Sequence, residues 1–168
     1  TQGDLNDAEA VIAWGRTLNV VTVEIENVSI EGLTALKAMG VQVLPDPSHL
    51  ALIRDKGTQK EFYASHGIPT SDFALVEDGR AEVLSRGLPV VQKLRTGGYD
   101  GRGVQVIRTE ADAADAFDAP CVLEDAVAID KELSVIVARS TTGEVKTYPV
   151  VESVCLLYTS PSPRDTRE

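Results

Sequence analysis

Twelve residues constrain this chain more than any others: Gln92-Lys93-Leu94-Arg95-Thr96-Gly97-Gly98-Tyr99-Asp100-Gly101-Arg102-Gly103. They follow a short apolar strand, Leu88-Pro89-Val90-Val91, and Val104-Gln105-Val106-Ile107 alternates as a second strand beyond them. The fold must therefore present a glycine-rich loop at the end of a strand that carries a lysine. Glycines let a backbone adopt positive φ and approach a ligand closely. Successive N–H groups in such a loop form a concave anion site, and cations on both sides supply the charge-assisted donors that phosphate takes. A glycine turn with charged decoration is the other reading. Lys93 at the strand end and the density of polar groups favour a phosphate site.

The 168 residues admit one or two domains, and 43% hydrophobic content allows a real core. A net charge of −10 argues against broad nucleic-acid or membrane-surface binding, which needs basic patches, yet leaves room for local phosphate binding. No apolar run approaches the roughly 20 residues of a membrane span. Cys121 and Cys155 give neither a disulfide framework nor a metal spacing, which fits a reducing cytosol. The chain starts Thr1-Gln2-Gly3-Asp4, without Met or a signal pattern, and is expected to begin inside a longer protein.

Periodicity predicts a helix over residues 4–18, capped by Asp4 or Asn6, then a β-branched strand over 20–25. A helix opened by Ser29 and Glu31 runs to Met39, with Gly40 as its C′ residue, and a strand over 41–44 ends at Pro45. This order suggests an open α/β layer with parallel strands. From Leu50 to His66 the pattern is mostly helical, and Gly67 stops it. Strands are expected at 73–76, 88–93, 104–107 and 121–124, with a short helix at 81–86 and an alanine-rich helix over 109–117. Leu133–Ala138 and Val145–Val151 are expected to pair across Thr141-Thr142-Gly143-Glu144. The second half thus reads as α+β with antiparallel pairs.

Among candidate functional residues, Lys93 can reach a nucleotide phosphate as a compact point charge. Glu124-Asp125-Ala126-Val127 at a strand end could hold a base through its backbone, and Glu132 could accept ribose hydroxyls. Tyr99, Asp100 and Arg102 at the loop tip offer stacking, acceptance from an amine and a forked anion contact. Lys56 lies on a helix with Lys60 near by, where an ordinary helix surface is the competing reading. Glu24 and Glu26 flank a buried-looking strand, His49 and His66 read as helix-terminal residues, and Trp14 reads as packing.

These residues together resemble the 5-(carboxyamino)imidazole ribonucleotide synthases of purine biosynthesis, members of the ATP-grasp superfamily. The resemblance covers residues from about 18 to 154. It rests on the loop string Arg95–Gly103, with support from Val23–Val28, Asp55–Phe62, Gly67–Thr70 and Lys131–Arg139. It implies α/β and α+β architecture in three parts of an ATP-grasp fold. These are the end of an N-terminal α/β domain (1–52), a small lid with the glycine loop (53–126) and the opening of the C-terminal lobe (127–154).

The resemblance implies an ATP-dependent ligase that joins bicarbonate to the exocyclic amine of aminoimidazole ribonucleotide through carboxyphosphate, with magnesium, in a cytoplasmic enzyme that is commonly a homodimer. It places Lys93 and Lys56 on the ATP phosphates, and Gly98, Tyr99, Asp100, Gly101, Arg102, Gly103 and Val104 in the loop over them. Glu124, Asp125, Ala126 and Val127 become the adenine hinge, and Glu132 the ribose ligand. Tyr99, Asp100 and Arg102 face the imidazole ribonucleotide and bicarbonate, with Glu24 a weaker candidate there.

Departures from the family pattern matter. Asp125-Ala126 stand where a second glutamate and an aromatic residue are usual. The family's nucleotide-contacting histidine would fall at position 155, which is Cys155 here. Its acidic magnesium ligands and basic substrate-phosphate residues would lie further on, and its first glycine-rich strand and loop earlier. The chain is therefore expected to be a fragment, inactive alone. Residues 155–168 change style abruptly at Ser160-Pro161-Ser162-Pro163, and Cys155–Asp165 resembles the translation of a transposon-based sequencing adapter. A genuine disordered tail is the alternative. Another ATP-grasp carboxylate ligase, such as a formate-dependent glycinamide ribonucleotide transformylase or a biotin carboxylase, a non-catalytic nucleotide-binding module, and a fragment without a stable fold also stay open.

Overall fold

The computed structural model describes residues 3–98 and 103–153. The loop tip 99–102 and the proline-rich tail 155–168 lie outside the described residues. The chain divides into two compact units, residues 1–126 and 127–168.

The first unit opens with α1 (Ala8–Gly15), β1 (Val20–Thr22), α2 (Ile30–Ala38) and β2 (Gln42–Leu44). Asp7, rather than Asp4 or Asn6, caps α1, accepting from the Glu9 N–H at 2.9 Å. Strands β1 and β2 pair in parallel, as the alternation of helix and strand implies. Strand β1 is shorter than the predicted 20–25. Its register sets Thr22 against Leu44, and Pro45 offers no N–H to continue the ladder. Val11, Val21, Leu33, Leu36, Val43 and Leu50 form one buried core here. Gly15 brings α1 onto α2, since a Cβ there would lie 2.4 Å from Leu36 Cδ1. Trp14 does not pack inside: it is 47% exposed.

The predicted continuous helix from Leu50 to His66 is two helices, α3 (Pro47–Arg54) and α4 (Lys56–Ser65). Asp55 breaks it. Its backbone is extended, and its carboxylate caps α4, accepting from Gly57 N–H at 2.7 Å and Thr58 N–H at 3.2 Å. Gly67 then ends α4 at φ +65°.

A four-stranded antiparallel sheet follows, in the order β3 (Phe73–Val76), β6 (Cys121–Asp125), β4 (Val90–Leu94), β5 (Val104–Ile107). Its two faces differ. Val76, Val90, Ile107, Cys121 and Leu123 share one face and make the second core, under α5 (Gly79–Glu82) and the 3-10 turn Val83–Arg86. Each such fully buried aliphatic side chain contributes about 1.5–3 kcal/mol of transfer free energy. Gln92, fully buried on this face, donates to Phe117 C=O at 3.1 Å and accepts from Phe117 N–H at 2.9 Å and Gln105 Nε2 at 2.7 Å.

Those bonds also explain why the helix expected over 109–117 reduces to a 3-10 turn at Asp112–Asp115. Phe117 N–H is spent on Gln92, and the Asp112 carboxylate takes the N–H groups of Arg108 and Thr109, each at 2.9 Å. Side-chain bonds of this kind compete with the helical ladder.

In the second unit, β7 (Glu132–Ser134) pairs antiparallel with β10 (Val151–Ser153), and β8 (Val137–Arg139) with β9 (Val145–Thr147). The expected hairpin is thus two short ladders. Pro149 has no N–H to donate, which interrupts the pairing. Gly143, at φ +90°, makes the turn, and Ser140 N–H closes it on Glu144 C=O at 2.8 Å. Ile129, Leu133, Ile136 and Val150 all remain exposed in this unit.

Candidate nucleotide-phosphate site

The face of the sheet opposite the second core carries the candidate site. Strand alternation puts Val91 and Lys93 of β4 on this face. The register sets Val91 against Glu124 and Lys93 against Val122, so Lys93 and Glu124 are diagonal neighbours. Their side chains meet: Lys93 Nζ lies 2.9 Å from Glu124 Oε1. Helix α4 delivers a second cation to the same carboxylate, with Lys60 Nζ 3.2 Å from Glu124 Oε2.

The connector 70–71 completes the cluster. Ser71 Oγ donates to Glu124 Oε2 at 2.8 Å, and Lys60 donates to Ser71 Oγ at 2.9 Å and to Thr70 Oγ1. Lys60 also lies 5.7 Å from the centre of the Phe73 ring. Glu124 is 6% exposed and Lys60 9%, whereas the Lys93 side chain is 28% exposed. Burial alone would raise the Glu124 pKa. The hydrogen bonds from Lys93, Ser71 and Lys60 and the charge of Lys93 outweigh it, and the carboxyl sits below its ordinary value.

The near end of the glycine loop is pinned to α4. Arg95 donates to Asp55 through Nε at 3.0 Å and Nη2 at 2.7 Å, and the Arg95 carbonyl accepts from Lys56 N–H at 2.8 Å. Asp55 is thereby held below its ordinary value: burial opposes ionisation, but Arg95 and the N–H groups of Thr58 and Gly57 win. Gly97 and Gly98 take φ of +68° and +72°, as the sequence implied. Gly98 meets Gly103 across the loop base, where a Cβ on Gly98 would lie 2.5 Å from Gly103 Cα. Leu94 N–H bonds to Gly103 C=O at 2.9 Å, closing the base.

Of the residues singled out from sequence, the structure brings together Lys93, Glu124, Lys56, Gly98, Gly103 and Val104 around the ends of β4 and α4. Val104 pairs with Lys93. Asp125 turns its carboxylate to Arg86 Nε at 2.7 Å, and Ala126 follows it at the strand's end. Val127 and Glu132 belong to the second unit. Glu24 stands apart, on a cavity of about 860 Å³ also lined by Trp14, Val21, Ile25 and Val28. Tyr99, Asp100, Gly101 and Arg102 lie outside the described residues.

Lys60 corrects the helix-surface reading. Gly57 and Lys60, three apart, both face inward on α4. The hydroxyl pair Thr70-Ser71 and the inward spacing were the signals available. Among the described residues, no group of three or more His, Cys, Asp or Glu side chains is placed to hold a metal, and no helix is long and apolar enough to cross a membrane.

The lysine-bearing strand, the glycine loop and the helix pinned beside it thus lie together at one end of the four-stranded sheet. Residues 61–155 match the ATP-grasp domain model, and residues 1–54 match the ribonucleotide synthetase preATP-grasp domain model. The chain belongs to the ATP-grasp family. Within it, the chain is similar to the N5-carboxyaminoimidazole ribonucleotide synthase of Synechococcus elongatus, at 37% identity over 88% of this chain and 39% of the relative. The crystal structure of N5-carboxyaminoimidazole ribonucleotide synthetase from Thermotoga maritima matches with a TM-score of 0.80 at 38% identity, over 89% of this chain and 40% of that one. The Aspergillus clavatus synthase, solved with ADP and 5-aminoimidazole ribonucleotide, matches with a TM-score of 0.79 at 30% identity, over 91% and 41%. The chain thus spans about two fifths of the length of these relatives.

Proposed function

We propose that this chain supplies the nucleotide-phosphate lid of an ATP-dependent ligase that carboxylates 5-aminoimidazole ribonucleotide with bicarbonate in purine biosynthesis. The observation that carries the reading is Lys93, held on Glu124 beside a glycine loop whose base closes at Gly98 and Gly103. An ammonium fixed there meets the phosphates of ATP, with Lys56 at the start of α4 as the second cation. Loop N–H groups surround the transferring phosphoryl, and catalysis of this kind is mostly positioning and charge neutralisation.

The reaction runs in two displacements. A bicarbonate oxygen attacks the γ-phosphorus, ADP leaves with the electron pair of the broken P–O bond, and carboxyphosphate forms. The exocyclic amine of aminoimidazole ribonucleotide then attacks the carboxyl carbon, phosphate leaves, and the amine loses its proton. Tyr99, Asp100 and Arg102 are proposed to face the ribonucleotide and bicarbonate, with Glu24 a further contact. Glu124 to Val127 are proposed as the adenine segment and Glu132 as the ribose acceptor. Magnesium, which the resemblance implies, would neutralise phosphate charge, but the described residues form no site for it, so no step here passes through it. A cytoplasmic location and a homodimeric complete protein belong to the same proposal.

The test is ADP release by a protein of the relatives' full length that carries this chain. Release that requires both 5-aminoimidazole ribonucleotide and bicarbonate is expected. Release driven instead by glycinamide ribonucleotide with formate, or by biotin, assigns another carboxylate ligase. Nucleotide binding with no turnover on any of these assigns a binding module.

A further inference from the structure

The cluster around Glu124 contains one more cation than a structural ion pair needs. Lys60 is saturated: its three N–H groups meet Thr70 Oγ1, Ser71 Oγ and Glu124 Oε2. It has no donor left for a ligand and is nearly sealed from solvent. Lys93 is the opposite case. Among the described residues its ammonium meets Glu124 Oε1, and its side chain is more exposed than that of Lys60. The two lysines divide one carboxylate, each taking a different oxygen.

Two ammonium groups and one carboxylate leave the cluster at +1, and the sealed half of it is Lys60 with Ser71 on Oε2. Without Lys60, Glu124 would cancel Lys93 alone and the net charge at the loop would be zero. A buried pair taken out of water interacts far more strongly than a surface one, so the loss is poorly screened.

We propose that Lys60 is a positioning residue for anion binding. By neutralising and orienting Glu124 from behind, it leaves Lys93 a net positive, fixed cation for a polyphosphate. This rests on the nucleotide reading given above and deepens it, since the recognised group is the phosphate chain rather than the nucleoside.

The experiment titrates the 168-residue chain with ADP and with adenosine by calorimetry, for wild type, Lys60→Met, Lys60→Arg and the double variant Lys60→Met/Glu124→Gln. The expected result is an ADP affinity about tenfold weaker in Lys60→Met, retained in Lys60→Arg, and returned to within about threefold of wild type in the double variant, whose net charge is again +1. Adenosine affinity stays level in Lys60→Met and Lys60→Arg, and in the double variant ADP is read relative to adenosine, because Glu124 begins the proposed adenine segment. A merely structural role would weaken both ligands together and would not be rescued by removing the carboxylate charge. ADP binding by Lys60→Met equal to wild type, or no rescue in the double variant, overturns the inference and leaves the nucleotide reading intact. Where Lys60→Met alone does not fold, the double variant decides on the same criterion. A wild-type chain that binds neither ADP nor adenosine overturns the nucleotide reading for this chain, and the inference with it.

Discussion

Arg95 grips Asp55 with two parallel hydrogen bonds, 3.0 Å from Nε to Oδ1 and 2.7 Å from Nη2 to Oδ2. One residue begins the glycine loop and the other caps α4, so this pair fixes where the loop departs. Gly57 leaves room for it, because a Cβ there would lie 2.7 Å from Arg95 Nε. Replacing Asp55 by Asn removes the charge and half the fork. A loss of about 1–3 kcal/mol is expected by urea denaturation, from the charge-assisted bonding to Arg95, since the Asn amide oxygen still caps α4.

The same pair has a pH signature. Asp55 and Glu124 both sit below their ordinary values of 3.8 and 4.5. A carboxylate with a depressed folded value contributes stability that is full above its unfolded value and is lost as pH falls through the folded one. The deficit of Asp55→Asn relative to wild type should therefore be constant at neutral pH and shrink as pH drops below 3.8. A deficit that grows on acidification contradicts this assignment.

Removing Glu124 should be among the most damaging single changes. Glu124→Ala leaves Lys60 buried at 9% exposure with its countercharge gone. Breaking one partner from a buried pair costs about 3–5 kcal/mol. Thermal unfolding of Glu124→Ala against Glu124→Gln separates the charge from the space it fills.

At the loop base, Gly98→Ala meets two penalties. Its φ of +72° disfavours any side chain, and the new Cβ would fall 2.5 Å from Gly103 Cα. A cost of about 1–3 kcal/mol follows from the left-handed conformation alone, and the loop base must open to relieve the contact. Calorimetry should show both a lower unfolding midpoint and weaker ADP binding. An unchanged midpoint would mean that the two glycines need not touch.

Within the sheet, Gln92→Leu should destabilise through unmet bonds rather than lost volume. It strands Phe117 N–H, which bonds to Gln92 Oε1, and Phe117 C=O, which accepts from Gln92 Nε2, whereas Gln105 Nε2 keeps Asp115 C=O. Each buried donor or acceptor left unpaired costs about 1–3 kcal/mol. Hydrogen exchange at Phe117 should accelerate in the variant.

The sequence was most readable where local chemistry decides structure. Ser29 capped its helix, Gly40 and Gly67 ended theirs, and Gly97 and Gly98 took positive φ, because each outcome depends on one residue's own backbone or side chain. Lys93 fell at the strand end as read, and the ATP-grasp family was legible through the resemblance carried by the loop string Arg95–Gly103. What failed depended on partners far along the chain. Asp55 split a helix because Arg95, forty residues on, rewards its extended backbone. The 109–117 helix lost its last N–H to Gln92, twenty-five residues back. Lys60 looked like surface until Glu124 and Ser71 closed around it.

The most direct test of the account is amide chemical-shift mapping of the 168-residue chain during titration with ADP. Perturbations concentrated at Lys93, Gly97, Gly98, Gly103 and Lys56 are the predicted result. Perturbations centred instead on the cavity beside Trp14 and Glu24, or none at the glycine loop, would contradict a phosphate site built on Lys93.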